Sequence, residues 1–347
     1  MTKFAINGFG RIGRTALRVW WENFREQADL AVVNTSGSMD IEGWAHLLKY
    51  DSNYGVWPHE ITVERWQGRE EVTDEQPELG LIKIDGRPVL VTAQRDPKKI
   101  PWDKYEVAVV IESTGIFTTA EKAKYHIEAG ASRVVLSAPA KSDGFETTVL
   151  GVENVNQVTG ELISNASCTT NCVAPVAQIM HTTFGVEKAM LTTIHAYTDD
   201  QNIQDNSHKD LRRARGAAQN IVPTSTGAAK ATALVIPELK GIFDGLAVRV
   251  PVSTGSLSDL TFITKRDVTV EEVNQAFTDA SQQPRWQGKL AVTNDPIVSN
   301  DIVGRPESSI VDLSLTQVMG GNMVKVIAWY DNEWGYCNRL VELVSGM

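Results

Sequence analysis

The sequence predicts an α/β protein with two domains, the first built on a mostly parallel sheet and the second on a mostly antiparallel one. In the first half, short apolar runs alternate with helical stretches, which is typical of βαβ units. In the second half, the candidate strands are longer and more β-branched or alternating, which favours antiparallel pairing. The length of 347 residues is also compatible with two domains.

The elements of the first half begin with the strand KFAIN, a helix through ALRVWWENF and the strand LAVVN. The run VAVVIES shows little alternation, as expected of a strand covered on both faces. Further candidate strands are RPVLVTA and RVVLSAP, and in the second half AMLTTIHAYT, LAVRVPVS, SDLTFITK and MVKVIAWYD. We place the boundary between the halves near SNASC, and we interpret the acidic stretch WQGREEVTDEQPELG as a solvated loop between strands.

Composition excludes several classes of partner. The chain carries 33 Lys+Arg against 43 Asp+Glu, a net charge of -10, which disfavours nucleic acid as the main partner. The N-terminus MTKFAINGFG does not read as a secretion signal. No segment approaches the roughly 18 uncharged apolar residues that span a bilayer. We therefore expect a cytoplasmic protein without a membrane partner.

A dinucleotide-binding fingerprint follows the first strand. Gly8, Gly10 and Gly13 form GxGxxG between KFAIN and the first helix. The first glycine permits a tight turn, the second lets a pyrophosphate approach the backbone, and the third allows close helix packing. Amide groups at the helix start add donors and positive potential. A Rossmann domain is the prediction.

The second strand lacks the acid that usually binds the ribose of NAD. LAVVN ends in Asn34, and Thr35 and Ser36 follow where a carboxylate is expected. Asp29 precedes the strand and Asp40 lies several residues beyond it. Without that carboxylate nothing repels a 2′-phosphate, and small hydroxyl side chains could accept it. We predict that NADP is used, alone or alongside NAD.

The stretch SNASCTTNC contains two of the three cysteines, Cys168 and Cys172. A metal site needs three or four ligands, and no histidine is near in sequence, so no metal is predicted. A disulfide between residues four apart on a helix is geometrically poor. As a third reading, a turn through SNAS places Cys168 at the start of a helix, whose dipole lowers the thiol pKa, with Cys172 buried one turn deeper. Spacing alone leaves a reactive cysteine and a buried core cysteine equally open.

The same motif carries a resemblance to a known family. SNASCTTNC, together with NGFGRIGR, HAYTDDQ, RRARGAAQNIVPTSTGAAKA, VRVP and YDNEWGY, resembles phosphorylating glyceraldehyde-3-phosphate dehydrogenase over nearly the whole chain. The resemblance implies a Rossmann domain over 1–167 that is completed by a C-terminal helix at 334–347. It also implies an α+β catalytic domain over 168–333 with a mostly antiparallel sheet, and a homotetramer.

The resemblance implies a reaction and its residues. Cys168 would attack the aldehyde of glyceraldehyde 3-phosphate, a nicotinamide would take the hydride, and inorganic phosphate would displace the resulting thioester to give 1,3-bisphosphoglycerate. His195 matches the family's base, which also pairs with the thiolate. Thr198 and Arg249 match the substrate-phosphate site. The positions that match the attacking-phosphate site are Ser167, Thr169, Thr226, Gly227 and Arg215. Arg212 and Arg213 we interpret as a solvated basic run.

Cofactor positions also carry over from the resemblance. Arg11 and Ile12 match the pyrophosphate turn, and Asn332 matches the residue that holds the nicotinamide carboxamide. Tyr336 would pack near the ring or belong to the core. Two further cofactor positions are Arg95 and Ser137.

The chain departs from NAD-specific members at Thr35, where they usually carry Asp. Ser207 stands where NAD-specific bacterial members tend to have Pro and NADP-using members a small hydroxyl residue. The residue types at Thr35, Ser36 and Ser207 therefore all indicate that the chain can use NADP.

Two alternative functions remain open from the sequence. One is the same fold oxidising erythrose 4-phosphate, with a weaker need for the attacking phosphate. The other is a non-catalytic nucleotide- or RNA-binding regulator, which the net negative charge and the presence of both Cys168 and His195 disfavour.

Overall fold

The computed structural model describes residues 1–152 and 158–347 and separates into two compact units. Unit 1 comprises 1–148, 158–166 and 337–347. Unit 2 comprises 149–157, of which 149–152 are described, and 167–336. The domain limits expected from the sequence stay a prediction.

Unit 1 is built on a nine-stranded sheet. Its strands, with a separate short pair β3 and β4, are β1 (Thr2–Asn7), β2 (Ala28–Thr35), β3 (Tyr50–Asp51), β4 (Gly55–Val56), β5 (Ile61–Arg65), β6 (Glu78–Ile84), β7 (Arg87–Ala93), β8 (Val109–Glu112), β9 (Arg133–Leu136), β10 (Glu146–Thr147) and β11 (Leu162–Ser164). The order is β10-β11-β9-β8-β1-β2-β7-β6-β5, parallel from β10 to β7 and antiparallel for β6 and β5. The mostly parallel sheet agrees with the sequence prediction, and every residue of β8 is buried, as its apolar run indicates.

The helices of unit 1 are α1 (Arg11–Val19), α2 (Ile41–Lys49) and α3 (Ala120–Glu128). A π-helical turn over Trp20–Phe24 continues α1, so the predicted helix through ALRVWWENF changes its winding part-way. One 3₁₀ turn lies at Pro97–Lys99. Residues 337–347 also belong to this unit, where the Asn338 side-chain oxygen accepts a hydrogen bond from Asn23 Nδ2 at 3.1 Å.

Buried polar side chains tie together the carboxyl ends of three neighbouring strands. Asn34 Nδ2 at the end of β2 donates to Asn7 Oδ1 at 2.7 Å, and Asn7 Nδ2 at the end of β1 donates to Glu112 Oε2 of β8 at 2.6 Å. His126 Nε2 lies 3.0 Å from the same Glu112 oxygen. All four residues are buried. Because buried polar groups must be paired, this network fixes the strand ends from which the following loops start.

Unit 2 is built on an eight-stranded sheet. Its strands are β12 (Val186–Ala196), β13 (Val222–Ser225), β14 (Phe243–Val250), β15 (Ser256–Thr264), β16 (Leu290–Thr293), β17 (Ser309–Asp312), β18 (Gln317–Met319) and β19 (Met323–Tyr330). The order is β13-β14-β12-β15-β19-β17-β16, with β18 beside β19. Only the pairs β12/β14 and β16/β17 are parallel among the described strands of this sheet, so the sheet is mostly antiparallel, as predicted.

The helices of unit 2 are α4 (Cys168–Phe184), α5 (Ala228–Val235) and α6 (Val270–Ser281), and α7 (Trp334–Ser345) begins in it. Short 3₁₀ turns lie at Ala217–Gln219, Pro237–Leu239, Pro284–Trp286, Ser299–Ile302 and Leu313–Leu315. Helix α4 is buried along most of its length, including Cys172, Val176 and Met180. Such burial holds the start of α4 rigidly against the sheet.

Candidate active site

Cys168 is the first residue of α4. Ser167 is the N-cap, and its Oγ accepts a hydrogen bond from the Thr170 N–H at 3.0 Å. The preceding Ala166 has φ +53°, a left-handed conformation that a residue with a Cβ rarely adopts. The strained turn and the cap together set the direction in which Cys168 leaves the backbone. The predicted turn-to-helix placement of Cys168 is thus seen in the structure.

His195, near the end of β12, lies directly against this cysteine. Its Nε2 is 3.3 Å from Cys168 Sγ, and its Nδ1 is 2.7 Å from the Ala196 carbonyl oxygen. Because a carbonyl oxygen can only accept, Nδ1 carries the proton, and the Nε2 of the neutral ring is an acceptor facing the thiol. The pair therefore has the geometry of a nucleophile beside its base.

The electrostatics of the pair differ from the sequence prediction. Burial raises the pKa of the Cys168 thiol, and the Arg249 charge and the Thr169 hydrogen bonds offset this only in part. Burial, followed by the Arg249 charge, lowers the pKa of His195 to about 3. Burial therefore acts against the lowered thiol pKa that the helix start predicts.

Tyr330, at the end of β19, forms a wall of the site that the sequence did not indicate. Its hydroxyl lies 2.9 Å from Thr169 Oγ1 and 2.8 Å from Thr193 Oγ1, and its ring meets His195 edge-on at 5.9 Å. Burial raises the pKa of Tyr330, so the phenol stays neutral. This placement links α4, β12 and β19 and holds the His195 ring in position.

Thr198 and Arg249 come together as predicted. In the parallel pair β12/β14, His195 lies opposite Arg249. Arg249 Nη1 donates to Thr198 Oγ1 at 2.9 Å and to the Ala196 carbonyl at 3.1 Å. Asp200 hydrogen-bonds the same threonine hydroxyl. A guanidinium and a hydroxyl side by side form a suitable anion site next to the cysteine–histidine pair.

Four of the residues predicted for the attacking phosphate lie at two helix N-termini, those of α5 and α4. Gly227 is the N-cap of α5, and an added Cβ there would meet no described atom within 4 Å. Thr226 Oγ1 accepts from the Ala228 N–H at 3.2 Å. Open space before a helix N-terminus suits an anion. Thr169, 5% exposed, and Ser167 lie in the first turn of α4 and at its cap.

Two of the basic residues are placed differently from the prediction. Arg215 is 61% exposed and pairs with Asp205 at 2.7 Å. Arg213 was expected in a solvated run, which was wrong: its side chain is 20% exposed and pairs with Asp200. Arg213 Nε also donates to Thr224 Oγ1 at 2.9 Å, and its Nη2 to the Ser225 carbonyl at 3.3 Å. Arg213 thus joins Asp200, the neighbour of Thr198, to the strand that leads to Thr226.

The glycine fingerprint of unit 1 fits a dinucleotide. Gly8 has φ +99°, and a Cβ there would lie 2.8 Å from Thr114 N. A Cβ on Gly13 would lie 2.1 Å from the Gly8 carbonyl oxygen. At Gly10, the N-cap of α1, a Cβ would meet no described atom within 4 Å. The open space lies where a pyrophosphate must approach the helix N-terminus. Arg11 pairs with Asp51 at 2.5 Å, and Ile12 is half-buried in the same turn.

Two hydroxyl side chains, Thr35 and Ser36, lie at the end of β2 and directly after it, and only Ser36 is exposed to solvent. Thr35 is buried, and its Oγ1 donates to the Thr92 carbonyl at 3.1 Å. Ser36 is exposed, and Arg95 Nε donates to its carbonyl oxygen at 3.0 Å. Thr35 therefore shapes the strand end, and Ser36 and Arg95 are the predicted residues that lie at the surface.

The remaining predicted cofactor residues occupy separate places. Asn332 is buried in unit 2, and its Oδ1 accepts from Ser256 Oγ at 2.9 Å and from the Gly255 N–H at 3.1 Å, which fixes the orientation of its amide. Tyr336 is buried and Ser207 is exposed. Ser137 follows β9, and its N–H donates to the Glu112 carbonyl at 3.0 Å.

Within residues 1–152 and 158–347, no cluster of three or more His, Cys, Asp or Glu side chains has the arrangement of a metal site. In the same part of the chain, no helix has the length and apolar character required to cross a bilayer.

Comparison with known proteins decides the family. The family model described as "Glyceraldehyde 3-phosphate dehydrogenase, NAD binding domain" matches residues 2–120, and the one described as "Glyceraldehyde 3-phosphate dehydrogenase, C-terminal domain" matches residues 167–332. The chain belongs to the glyceraldehyde 3-phosphate dehydrogenase family. This membership confirms the family and the fold class predicted from the sequence.

Curated members of this family are similar to the chain over almost their whole lengths. Glyceraldehyde-3-phosphate dehydrogenase 2 of Streptomyces avermitilis is 50% identical over 343 residues, covering 98% of this chain and 97% of the relative. Glyceraldehyde-3-phosphate dehydrogenase of Mycobacterium leprae is 50% identical over 347 residues, covering 99% and 97%. The protein of the same name from Borreliella burgdorferi is 48% identical over 351 residues, covering 99% and 98%.

Proposed function

We propose that the chain oxidises glyceraldehyde 3-phosphate with inorganic phosphate to 1,3-bisphosphoglycerate, using NAD or NADP as hydride acceptor. The observation that carries the proposal is the 3.3 Å contact between Cys168 Sγ and His195 Nε2, beside the Arg249–Thr198 anion site. The names of the similar curated proteins support the same activity.

The first step is covalent. Cys168 transfers its proton to His195 Nε2, and the sulfur attacks the aldehyde carbon. The protonated imidazole returns that proton to the carbonyl oxygen, giving a hemithioacetal. The 3.3 Å contact lets the proton move directly from Sγ to Nε2 as the sulfur attacks. The protonated Nδ1, fixed by the Ala196 carbonyl, keeps Nε2 available throughout.

Oxidation and release follow on the same sulfur. A nicotinamide dinucleotide, when bound, supplies the acceptor for the hydride from the hemithioacetal carbon. His195 takes the hydroxyl proton as the carbon–oxygen double bond re-forms, which leaves a thioester on Cys168. A phosphate oxygen then attacks the thioester carbonyl, the sulfur departs, and an acyl phosphate leaves. The proton held by His195 restores the thiol.

Two anion sites serve this sequence. We assign the substrate phosphate to Thr198 and Arg249, and the attacking phosphate to Ser167, Thr169, Thr226 and Gly227. Arg213 replaces Arg215 in the second assignment, because Arg213 bonds the Ser225 carbonyl and Asp200 while Arg215 faces solvent against Asp205. A planar guanidinium can pair with two phosphate oxygens at once.

The proposed function is tested by one assay in eight arms. Reduction of NAD and of NADP is followed with glyceraldehyde 3-phosphate or erythrose 4-phosphate, with and without inorganic phosphate. We expect strong dependence on phosphate with glyceraldehyde 3-phosphate. Faster turnover of erythrose 4-phosphate without a phosphate requirement would favour the alternative substrate, and no turnover with either aldehyde would favour a non-catalytic nucleotide- or RNA-binding protein.

NADP tolerance is part of the proposal. The exposed Ser36 and Arg95 at the end of β2 support it, together with the absence of an acid at that strand end. We expect Ser36→Asp to weaken NADP binding by about tenfold or more relative to NAD, because a carboxylate repels the 2′-phosphate. The ratio of kcat/KM for the two cofactors measures this. Since Thr35 is buried, the same change there would bury a charge, so Ser36 is the cleaner position.

We also propose a cytoplasmic homotetramer. Large apolar side chains of unit 2 are exposed, including Ile203, Leu211, Ile221 and Leu234, each at least 68% exposed. These side chains supply apolar area that a second copy of the chain could bury. We expect Leu211→Asp to lower the sedimentation-velocity mass from four chains toward fewer, with an unchanged circular dichroism spectrum. A wild-type chain that sediments as a monomer at micromolar concentration would contradict the tetramer.

A further inference from the structure

The loop between β5 and β6, residues 66–77, is acidic in sequence but closed by its own hydrogen bonds. Gln67 Nε2 donates to the carbonyls of Gln76 and Glu78, each at 2.8 Å. At its first turn, the Gly68 N–H donates to Glu71 Oε2 at 2.6 Å, and the Glu71 N–H donates back to the Gly68 carbonyl at 3.0 Å. The loop therefore has a built shape, although most of its side chains are exposed.

One end of this loop is fixed to the segment that follows β2. Arg69 Nη1 donates to the Ser38 carbonyl, and the Arg69 N–H donates to Asp40 Oδ1 at 2.8 Å. Arg65 Nη2 lies 3.6 Å from the same Asp40 oxygen. Asp40 is the nearest carboxylate in sequence beyond β2, and both contacts fall on its Oδ1. A guanidinium has thus been brought to the segment where an NAD-binding acid would otherwise act.

The other end of the loop is fixed next to β7, the parallel neighbour of β2. Asp74 accepts from Gln94 Nε2 at 2.9 Å and pairs with Lys99 at 2.6 Å. Arg95, the next residue after Gln94, donates to the Ser36 carbonyl at 3.0 Å. The loop is therefore attached to the segments that follow both β2 and β7.

We infer that Arg69 is a specificity residue for the 2′-phosphate of NADP, carried to the end of β2 by the 66–77 loop. The inference rests on the proposed function and adds to it a residue and a loop that the family resemblance did not supply. Arg69 lies 3.0 Å from Glu70, whose side chain is 83% exposed and free to be displaced. The guanidinium has further N–H donors besides Nε and Nη1, in the planar arrangement that binds phosphate. Arg95, whose Nε donates to the Ser36 carbonyl, supplies a second guanidinium at the segment that follows β2.

The experiment is isothermal titration calorimetry of the full chain with NADP⁺, NAD⁺, 2′-AMP and 5′-AMP. We expect Arg69→Gln to weaken NADP⁺ and 2′-AMP by about 10- to 100-fold, the loss of a charge-assisted hydrogen bond, and to change NAD⁺ and 5′-AMP by less than about twofold. Arg69→Lys keeps the positive charge but not the planar guanidinium. It should weaken the binding of NADP⁺ and 2′-AMP less than Arg69→Gln does. Arg25→Gln, an exposed arginine of the same unit paired with Glu26, is the matched control and should change none of the four.

Two results would overturn the inference. Equal weakening of NADP⁺ and NAD⁺ in Arg69→Gln would show that the loop only supports the fold, and unchanged NADP⁺ binding would show that Arg69 does not contact the 2′-phosphate. The binding data are independent of turnover. If discrimination between 2′-AMP and 5′-AMP depends on Arg69 while the aldehyde assay fails, the inference stands and the proposed reaction falls.

Discussion

Cys168→Ala is expected to lower phosphorylating oxidation of glyceraldehyde 3-phosphate by at least about 10⁴-fold, because no other described side chain beside His195 carries a nucleophile able to form the thioester. The loss should fall on kcat, with dinucleotide binding unchanged. Initial rates of cofactor reduction, together with trapping of the acyl-enzyme by mass spectrometry, measure both effects. The labelled peptide in the wild-type protein should contain position 168.

Cys172→Ala is the matched control for this prediction. Cys172 lies one turn further along α4, is fully buried, and burial raises the pKa of its thiol to about 12. We expect this variant to lose some stability through the small cavity but to keep kcat within a few-fold. Substantial turnover by Cys168→Ala, or loss of the acyl-enzyme in Cys172→Ala alone, would refute the assignment of the nucleophile.

His195→Gln is expected to lower kcat by about 10²- to 10⁴-fold, because glutamine keeps a polar group in place but cannot accept a proton. Hydride transfer from the hemithioacetal carbon to the cofactor then becomes slower relative to the other steps. A substrate deuterated at the aldehyde carbon should therefore show a larger kinetic isotope effect with the variant than with the wild-type protein. An unchanged isotope effect with a full rate would exclude His195 as the base.

The pH dependence separates a base from a merely structural histidine. Because the pKa of His195 is lowered to about 3, its ring is unprotonated from pH 5 upward and adds no step to the profile there. The pKa of Cys168 is raised, so its thiolate fraction is still increasing at pH values above the usual pKa of a thiol. We expect alkylation of Cys168 by iodoacetamide to accelerate with pH in both proteins, and to be slower at neutral pH in His195→Gln. Equal alkylation rates at neutral pH would contradict proton transfer between the pair.

The sequence could predict the elements that carry the chemistry because each has a strong local signal. GxGxxG after a strand, the turn through SNAS before Cys168 and a β-branched run ending at His195 all depend on neighbouring residues only. The alternation of apolar and polar residues in the strands of the second half likewise indicates antiparallel pairing, which the sheet of unit 2 shows.

What the sequence could not predict depends on contacts between distant segments. Arg213 and Arg215 have the same local pattern, but Arg213 is half-buried against Asp200 and Thr224 while Arg215 is exposed against Asp205. The inward turn of Thr35 depends on the Thr92 carbonyl of a neighbouring strand. The direction of the Cys168 pKa follows from burial by the surrounding structure, which no sequence pattern reports.

The placement of His195 opposite Arg249 has a consequence for how this site tolerates change. The spacing between His195 and Arg249 is set by main-chain pairing along β12 and β14. This pairing runs from Ala189 with Phe243 to Ala196 with Val250. Side chains beneath the sheet can therefore be exchanged for others of similar volume without altering that spacing. Insertion of one residue into either strand ahead of the pair would instead turn one partner to the opposite face and separate the two functions at once.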